Sequence, residues 1–491
     1  LGKILYGAVV VKAGMAAVTA LNKFKNFSEW FDKLLLDARI VDDRFPVKGF
    51  SVYLENGAFI LKRLRNLLES ELDATGHVEM LFPLVTTEEL FGKEAQHIKG
   101  FSGEVYVIES AGGSPLERKL IIRPTSETII YPMFKIWIRS HADLPLLVYQ
   151  SNNVYRYETK ATRPLLRVRE IPWNEAHTAH ASAADAEEQV RKAVEIYRKV
   201  LDRVCLGYMI FRRPDFDKFA GAKYSIAFDA WTPDGRVNQV GTVHNLGKNF
   251  SKVFEIEFET RDGKRDNPHQ LCYGFGYSRV MAAIIAQHGD DRGCIFPSEV
   301  APKQVVVVPI YFKGQEEVIT AYARRVGESL NGLRVLVDDR PDTTPGEKFY
   351  YWEMIGVPVR VEVGPREVSE NKATVFRRDT LEKELIDFEA LNEHVHGLLK
   401  KIDAGLAAKS KRMMEQMVTD ITDLDEGRNA IAARRILRVE WCGRTECAEK
   451  LKESVGGEVR GTRYDMTEIP RNGCIVCQQQ AREVVYVARA Y

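Results

Sequence analysis

Val154–Glu170 reads VYRYETKATRPLLRVRE, and the fold is argued outward from this stretch. Arg156 and Glu158 alternate with Tyr155 and Tyr157, so the charged pair shares one face of an extended strand. A short polar loop containing Pro164 returns the chain into a second strand over Leu166–Ile171, which brings Arg167 and Arg169 beside the first. Such a hairpin aims several guanidiniums at one spot, where they bind phosphate or carboxylate in paired hydrogen bonds. Taken alone, the stretch fits an exposed hairpin with ordinary surface ion pairs equally well.

A second segment tips the balance. Cys272–Ala283 reads CYGFGYSRVMAA, with Gly274 and Gly276 permitting close backbone approach and Arg279 opening an apolar helix. An arginine buried at a helix start beside glycines needs an anion partner, either a ligand or a structural carboxylate. Around these two segments the periodicity predicts helices over Phe27–Ala38, Ala58–Leu72, Ala184–Cys205 and Ser278–His288. Short β-like runs are expected at His77–Pro83, Val105–Glu109, Leu120–Arg123, Leu146–Tyr149 and Val154–Glu158, and near Ala227, Val237 and Val253. Successive strands with few helices between them imply an α+β domain built on a largely antiparallel sheet. After Pro302 the pattern changes. Gln304–Ile310, Leu333–Val337 and Pro358–Val363 are apolar runs alternating with helices over Glu316–Leu330 and Gly346–Ile355, the signature of a parallel α/β domain. A Lys-rich helical stretch over Ala404–Met417 then leads into a cysteine-bearing tail.

The 491 residues exceed what one hydrophobic core supports, and three domains are expected: 1–301, 302–403 and 404–491. A formal net charge of +1 excludes coating of nucleic acid by bulk charge but leaves local basic patches open. Ile4–Leu21 is apolar-rich, yet Lys3, Lys12 and Lys23 punctuate it, so neither a membrane span nor a signal peptide is expected. The first residue is Leu, and Met15 is a candidate start. A cytoplasmic protein is expected. Cys205, Cys272 and Cys294 are scattered and read as buried thiols. Cys442, Cys447, Cys474 and Cys477 cluster as CGRTEC and CIVC, and four thiolates on two turns suit a tetrahedral structural Zn²⁺. Buried free thiols are the competing reading, although so short a tail has little apolar material to bury four.

The order strand Arg-x-Glu, loop, arginine-bearing strand, then a distant Gly-rich strand and Arg-led helix resembles motifs 2 and 3 of class II aminoacyl-tRNA synthetases. The helix and strand ending at Pro83 look like motif 1, which in that class builds the dimer interface. Arg123–Thr128 (RPTSET), Trp173–His180 (WNEAHTAH) and Gln239–Ser251 (QVGTVHNLGKNFS) are similar to segments of the prolyl-tRNA synthetases. This resemblance runs from about Phe27 to the C-terminus. It implies a class II antiparallel-sheet catalytic domain, an α/β anticodon-binding domain and a small α+β zinc-binding C-terminal domain.

The implied chemistry is ATP-dependent formation of prolyl-adenylate, then transfer of proline to tRNA(Pro). By resemblance, Arg156 bridges the proline carboxylate and the ATP α-phosphate, and Arg156 and Arg279 form the catalytic pair. Glu158, Arg167, Ser278 and Arg279 join Arg156 at the nucleotide, with Thr242 and with Gln239 acting through Mg²⁺. Thr125 and Glu127 hold the imino group, and Trp173, His177 and His244 line the ring pocket. Arg340, Lys348 and Glu353 are the candidate anticodon contacts, because Arg and Lys suit guanine acceptors and Glu accepts from base amino groups. The tail resembles that of the archaeal and eukaryote-like prolyl enzymes, and so does the terminal Ala490-Tyr491, whose tyrosine in that subgroup reaches toward the active site. The interval from His180 to Gln239 is too short for the editing domain of the bacterial type, so no cis editing is expected. Departures from the family pattern are Val168 beside Arg167 and Val240 where close relatives often have Gly.

Three other readings compete. A threonyl enzyme shares the architecture, but the Thr-Ser-Glu loop favours proline. A non-catalytic tRNA-binding paralogue would have no need of Arg156, Arg167 and Arg279. A metal-dependent hydrolase built on His177 and His180 leaves the arginine hairpin unexplained.

Overall fold

A computed structural model describes residues 22–93 and 103–491; the question of Met15 and the apolar stretch Ile4–Leu21 lies outside the described residues. The catalytic sheet uses β1 (Val78–Glu79), β2 (Leu146–Tyr155), β3 (Glu170–His180), β4 (Met209–Arg212), β5 (Tyr224–Trp231), β6 (Arg236–Gly247) and β7 (His269–Gly276). In space they run β4-β5-β6-β7-β3-β2-β1, all antiparallel except the β1–β2 pair. Along one face lie α1 (Phe27–Asp37), α2 (Glu55–Asp73), α4 (Ala183–Arg203) and α5 (Tyr277–His288), while α3 (Glu127–Trp137) packs in a separate cluster with Phe250 and Phe254. The long α4 is amphipathic, with Val190, Ala193, Val194, Tyr197, Val200 and Leu201 forming its buried stripe, and the Ser182 hydroxyl caps its first turn by accepting from the Asp185 amide. By contrast α5 is apolar on every side and is buried over most of its length. Its C-terminal carbonyls at Ala286 and Gln287, and that of Gly289, accept hydrogen bonds from the buried Lys23 ammonium.

The second domain has β8 (Val305–Pro309), β9 (Val335–Val337), β10 (Val359–Val363), β11 (Lys372–Arg377) and β12 (Lys383–Asp387) in the order β9-β8-β10-β11-β12. Its core is parallel and continuously buried, with α6 (Glu316–Ser329) and α7 (Pro345–Ile355) as crossovers. The three strands read from the sequence are parallel as expected, and β11 and β12 add to them antiparallel. α8 (Leu391–Met417) runs unbroken past residue 403, so the boundary expected there falls inside a helix.

The tail is joined to the catalytic domain through its strands. β13 (Val418–Asp420), β14 (Ile436–Trp441), β15 (Glu458–Arg463) and β16 (Glu483–Ala490) extend the catalytic sheet to eleven strands in the order β13-β14-β16-β15-β4. The junction is the antiparallel β15–β4 pair, with Thr462 opposite Arg212, and β16 also pairs in parallel with β6. Between β14 and β15, α9 (Thr445–Val455) covers the sheet.

Candidate active site

Alternate residues of four neighbouring strands floor a cavity of about 260 Å³. β3 contributes Ile171, Trp173, Glu175 and His177, all odd positions and therefore all on one face. β7 contributes Cys272, Gly274 and Gly276, and β5 contributes Ser225 and Ala227. On β6 the alternation breaks. Phe228 faces Gly241 and Asp229 faces Gln239, so Val240 is the extra residue of a bulge, and Gln239, Gly241, Thr242 and His244 all line the cavity. Gly274 is required by close approach: a Cβ there would lie 3.3 Å from the Trp173 ring.

Two carboxylates, those of Glu127 and Glu175, line the cavity. The buried Glu175 carboxylate accepts from the Ser126 amide at 3.2 Å, from the Ser126 hydroxyl and from Gln150 Nε2 at 2.9 Å. Burial alone raises the pKa of Glu175, but the His177 contact at 3.2 Å and the Ser126 hydroxyl outweigh it and hold it below the usual carboxylate range. Beside it Thr125 Oγ1 donates to Glu127 Oε2 at 2.6 Å. Arg123 braces this loop, donating to the Phe82 and Asn153 carbonyls. His244 stacks on Phe219 with centroids 4.7 Å apart, and its Nδ1 meets the Ser225 hydroxyl at 2.7 Å. Burial first, then the nearby Arg156 and His177, push its pKa down to about 3, so the ring is neutral in the working range.

Two guanidiniums, those of Arg156 and Arg279, line the same cavity. Arg156 Nε donates to the Pro124 carbonyl at 3.0 Å, and its guanidinium sits 5.5 Å from the Trp173 ring centroid. Arg279 is held by the Leu166 and Gln239 carbonyls, both at 3.2 Å. Burial, then the charges of Arg156 and Arg167, lower its pKa to about 10, which leaves it charged at neutral pH. Buried guanidiniums lining a cavity suit an anionic ligand.

Of the residues singled out from the sequence, Thr125, Glu127, Arg156, Trp173 and His177 line this cavity, as do Gln239, Thr242, His244 and Arg279. Glu158 and Arg167 stand beside it and approach each other to 3.7 Å. The expected strand over Leu166–Ile171 is corrected: β3 begins at Glu170, and Arg167 sits in a turn where the Arg163 amide donates to the Arg167 carbonyl. Ser278 does not reach the cavity; it is fully buried next to the Tyr53 hydroxyl. Glu175, Arg213, Lys218, Phe219 and Ser225 were not singled out from the sequence, though Glu175 shares the period-2 face of Trp173 and His177. The histidine pair does not converge. His177 meets Glu175 and Tyr131, whereas His180 meets Asp185 and Thr178, because residues three apart on a strand point to opposite faces. Tyr491 lies outside the lining, its hydroxyl donating to Asp234 Oδ2 at 2.6 Å.

In the α/β domain two expected base contacts are corrected. Lys348 is 1% exposed and donates to the Asp338 carbonyl, while Glu353 is drawn into ion pairs with Arg360 at 2.9 Å and Arg292 at 3.1 Å. Lys348 serves the interior of the domain, and Glu353 also ties it to Arg292 of the preceding domain. Arg340 remains 46% exposed and is oriented by a two-pronged pair with Asp338.

In the tail, the sulfur atoms of Cys442, Cys447, Cys474 and Cys477 lie within 4.8 Å of one another. The Cys442–Cys477 separation is 3.8 Å, and a tetrahedron with Zn–S bonds of about 2.3 Å has an edge of about 3.8 Å, so the set fits that ion. Arg444 Nε donates to Cys442 Sγ at 3.4 Å. The Gln479 amide and the neighbouring groups bring the pKa of Cys477 down to about 6, favouring the thiolate that a metal requires.

Comparison with known proteins follows the same division. Residues 106–288 match the tRNA synthetase class II core domain (G, H, P, S and T), 304–398 the anticodon binding domain, and 424–491 the C-terminal domain of prolyl-tRNA synthetase. The proline--tRNA ligase of Thermococcus kodakarensis is 45% identical over 474 residues, 95% of this chain and 98% of that protein. The chain belongs to the prolyl-tRNA synthetases. The Methanopyrus kandleri proline--tRNA ligase is 47% identical over 95% of this chain and 96% of its own. The structure of the Giardia lamblia prolyl-tRNA synthetase in complex with prolyl-adenylate superimposes with a TM-score of 0.93 at 35% identity, covering 96% of this chain and 99% of that one. Between the matched segments of this prolyl-tRNA synthetase, residues 399–423 hold the second half of α8 and β13.

Proposed function

We infer the following division of labour for the reaction of this proline--tRNA ligase, the ATP-dependent attachment of proline to tRNA. The observation that carries it is one cavity lined both by carboxylates, Glu127 and Glu175, and by guanidiniums, Arg156 and Arg279. A proline zwitterion fits that lining: its imino cation lies by Thr125, Glu127 and Glu175, and its ring lies against Trp173, His177 and the neutral His244. Its carboxylate then points at Arg156. In the first step a carboxylate oxygen attacks the α-phosphorus of ATP, the bond to the β,γ-phosphates breaks, and pyrophosphate leaves. Arg156 lies between the two anions and neutralises the charge shared by the attacking and departing oxygens. Arg279 and Arg167 hold the phosphates, Glu158 orients Arg167, and Thr242 and Gln239 bear on the nucleotide. Ser278 contributes to packing beneath α5. In the second step a ribose hydroxyl at the tRNA 3′ end attacks the carbonyl carbon and AMP leaves. No protein nucleophile is needed, and positioning and electrostatics supply the rate.

Gln239 would offer an oxygen to Mg²⁺ carried in on the ATP phosphates, where the ion would neutralise their charge. Among the described residues no cluster of carboxylates forms a cage of its own, which suits an ion carried by the substrate. A structural Zn²⁺ held by Cys442, Cys447, Cys474 and Cys477 cross-links the tail. Arg340 is the side chain suited to an anticodon base or phosphate of tRNA(Pro). A homodimer is supported at β1, the edge of the large sheet, where Val78, Leu81, Ile136 and Trp137 are 54, 80, 52 and 38% exposed. The domain limits of 301 and 403, a cytoplasmic location and the absence of cis editing belong to the same reading. His180 to Gln239 is occupied by α4, β4, β5 and their connections, all used by the catalytic sheet.

Proline-dependent exchange of pyrophosphate into ATP tests the assignment. Arg156→Ala is expected to lower the exchange rate about a thousandfold with the thermal midpoint retained. Exchange by that variant at the wild-type rate overturns the mechanism.

A further inference from the structure

Asp229 on β5 and Arg460 on β15 are 231 residues apart in sequence, yet they form a two-pronged ion pair at 2.7 and 3.1 Å. Both side chains are buried, 0% and 4% exposed. The geometry is built for this pair. β15 carries a bulge in which Val459 faces Val487 and Gly461 faces Tyr486, leaving Arg460 as the extra residue, turned out of the tail's own ladder. Gly461 adopts a φ of +123°, and a Cβ there would lie 2.0 Å from the Arg212 carbonyl, so only glycine lets β15 close on β4 at this point.

From Arg460 a continuous set of contacts reaches the Phe219 and His244 side of the cavity. The Arg460 carbonyl accepts from Arg213 at 2.8 Å, and Asp229 lies 3.8 Å from the same guanidinium. The Arg213 amide donates to the Ser225 carbonyl at 2.9 Å. The Ser225 hydroxyl in turn accepts from the Phe219 amide at 3.0 Å and meets His244 Nδ1 at 2.7 Å. Phe219 and His244 form the stacked wall of the cavity. A buried ion pair is a weak source of net stability, and the uncompensated charge left when one partner is lost is costly.

We propose that Arg460 of the C-terminal domain is a positioning residue for the proline pocket, acting through Asp229, Arg213 and Ser225 on the Phe219–His244 wall. It touches no substrate. The inference rests on the reading of this side of the cavity as the proline site. Arg460→Lys keeps the charge and loses the two-pronged geometry, and the double variant Asp229→Asn with Arg460→Met removes both charges, so that no buried ion is left alone. Steady-state pyrophosphate exchange is measured for both, with thermal unfolding beside it. Expected is a KM for proline raised about tenfold or more, while the KM for ATP stays within about twofold and Arg460→Lys shows the smaller rise. A proline KM within about twofold of wild type in variants that unfold at the wild-type temperature overturns the proposal. Thr125→Ala separates this failure from that of the underlying reading. If Thr125→Ala raises the proline KM and the Arg460 variants do not, the relay is wrong; if Thr125→Ala leaves it unchanged too, this side of the cavity is not the proline site.

Discussion

Glu175 illustrates how a single buried charge sets the chemistry of the pocket. Its oxygens accept from Ser126 and Gln150, donors that would face an amide nitrogen in Glu175→Gln. Hydrogen bonds to a charged group are worth about 1.5–3 kcal/mol, so this variant is expected to raise the proline KM about 10- to 100-fold in pyrophosphate exchange. Three buried histidines carry a separate expectation. Burial is the leading cause that lowers the pKa of His77 to about 4 and those of His244 and His288 to about 3. Between those values and about 6.5 the unfolded chain binds protons that the folded chain refuses, so stability falls as the pH drops through that window. At pH 5 each ring contributes about 2 kcal/mol of lost stability. The thermal midpoint is therefore expected to decline steadily from pH 7 to pH 5, and a flat profile would contradict the buried, neutral state of these rings.

At the scale of elements, strand alternation explains both what was legible in sequence and what was not. The two glycines of β7 carry their chemistry in spacing and floor the cavity, whereas β2 ends at Tyr155, so Arg156 and Glu158 follow it outside the expected strand and only Arg156 lines the cavity. Leu165 adopts a φ of +64° after Pro164, which delays β3 to Glu170 and leaves Arg167 in a turn; local periodicity does not encode such a kink. The segment Arg213–Phe219 has no periodic signature, since a one-turn helix over Asp215–Asp217 interrupts it, and its place beside the cavity depends on partners far away in sequence. Lys348 and Glu353 were misread because spacing says nothing of the buried Asp338 and Arg360 that engage them. Gly274→Val tests the floor itself. Its side chain would press on Trp173, which lies against the proline ring in the proposed arrangement, and the KM for proline is expected to rise about tenfold or more in exchange assays while the fold is retained.

Over the whole molecule, the tail extends the catalytic sheet, and its four cysteines gather where α9 meets the loop before β16. Metal analysis of the purified enzyme is expected to find about one zinc per chain. Chelation, or Cys477→Ser, is expected to lower stability by about 3 kcal/mol or more, read from denaturant unfolding. An enzyme free of zinc with unchanged unfolding would contradict the structural role.

The junction of β15 with β4 also bears on synthesis. β4 is complete by residue 212, but the strand that covers its edge begins at residue 458. While the intervening chain is being translated, the growing polypeptide displays an unpaired strand edge, the kind of surface on which chains associate wrongly. Contacts so distant in sequence also close slowly. A chain truncated between residues 247 and 458 would thus carry an open sheet and an Asp229 without its Arg460 partner, marked for aggregation or proteolysis before it could charge tRNA.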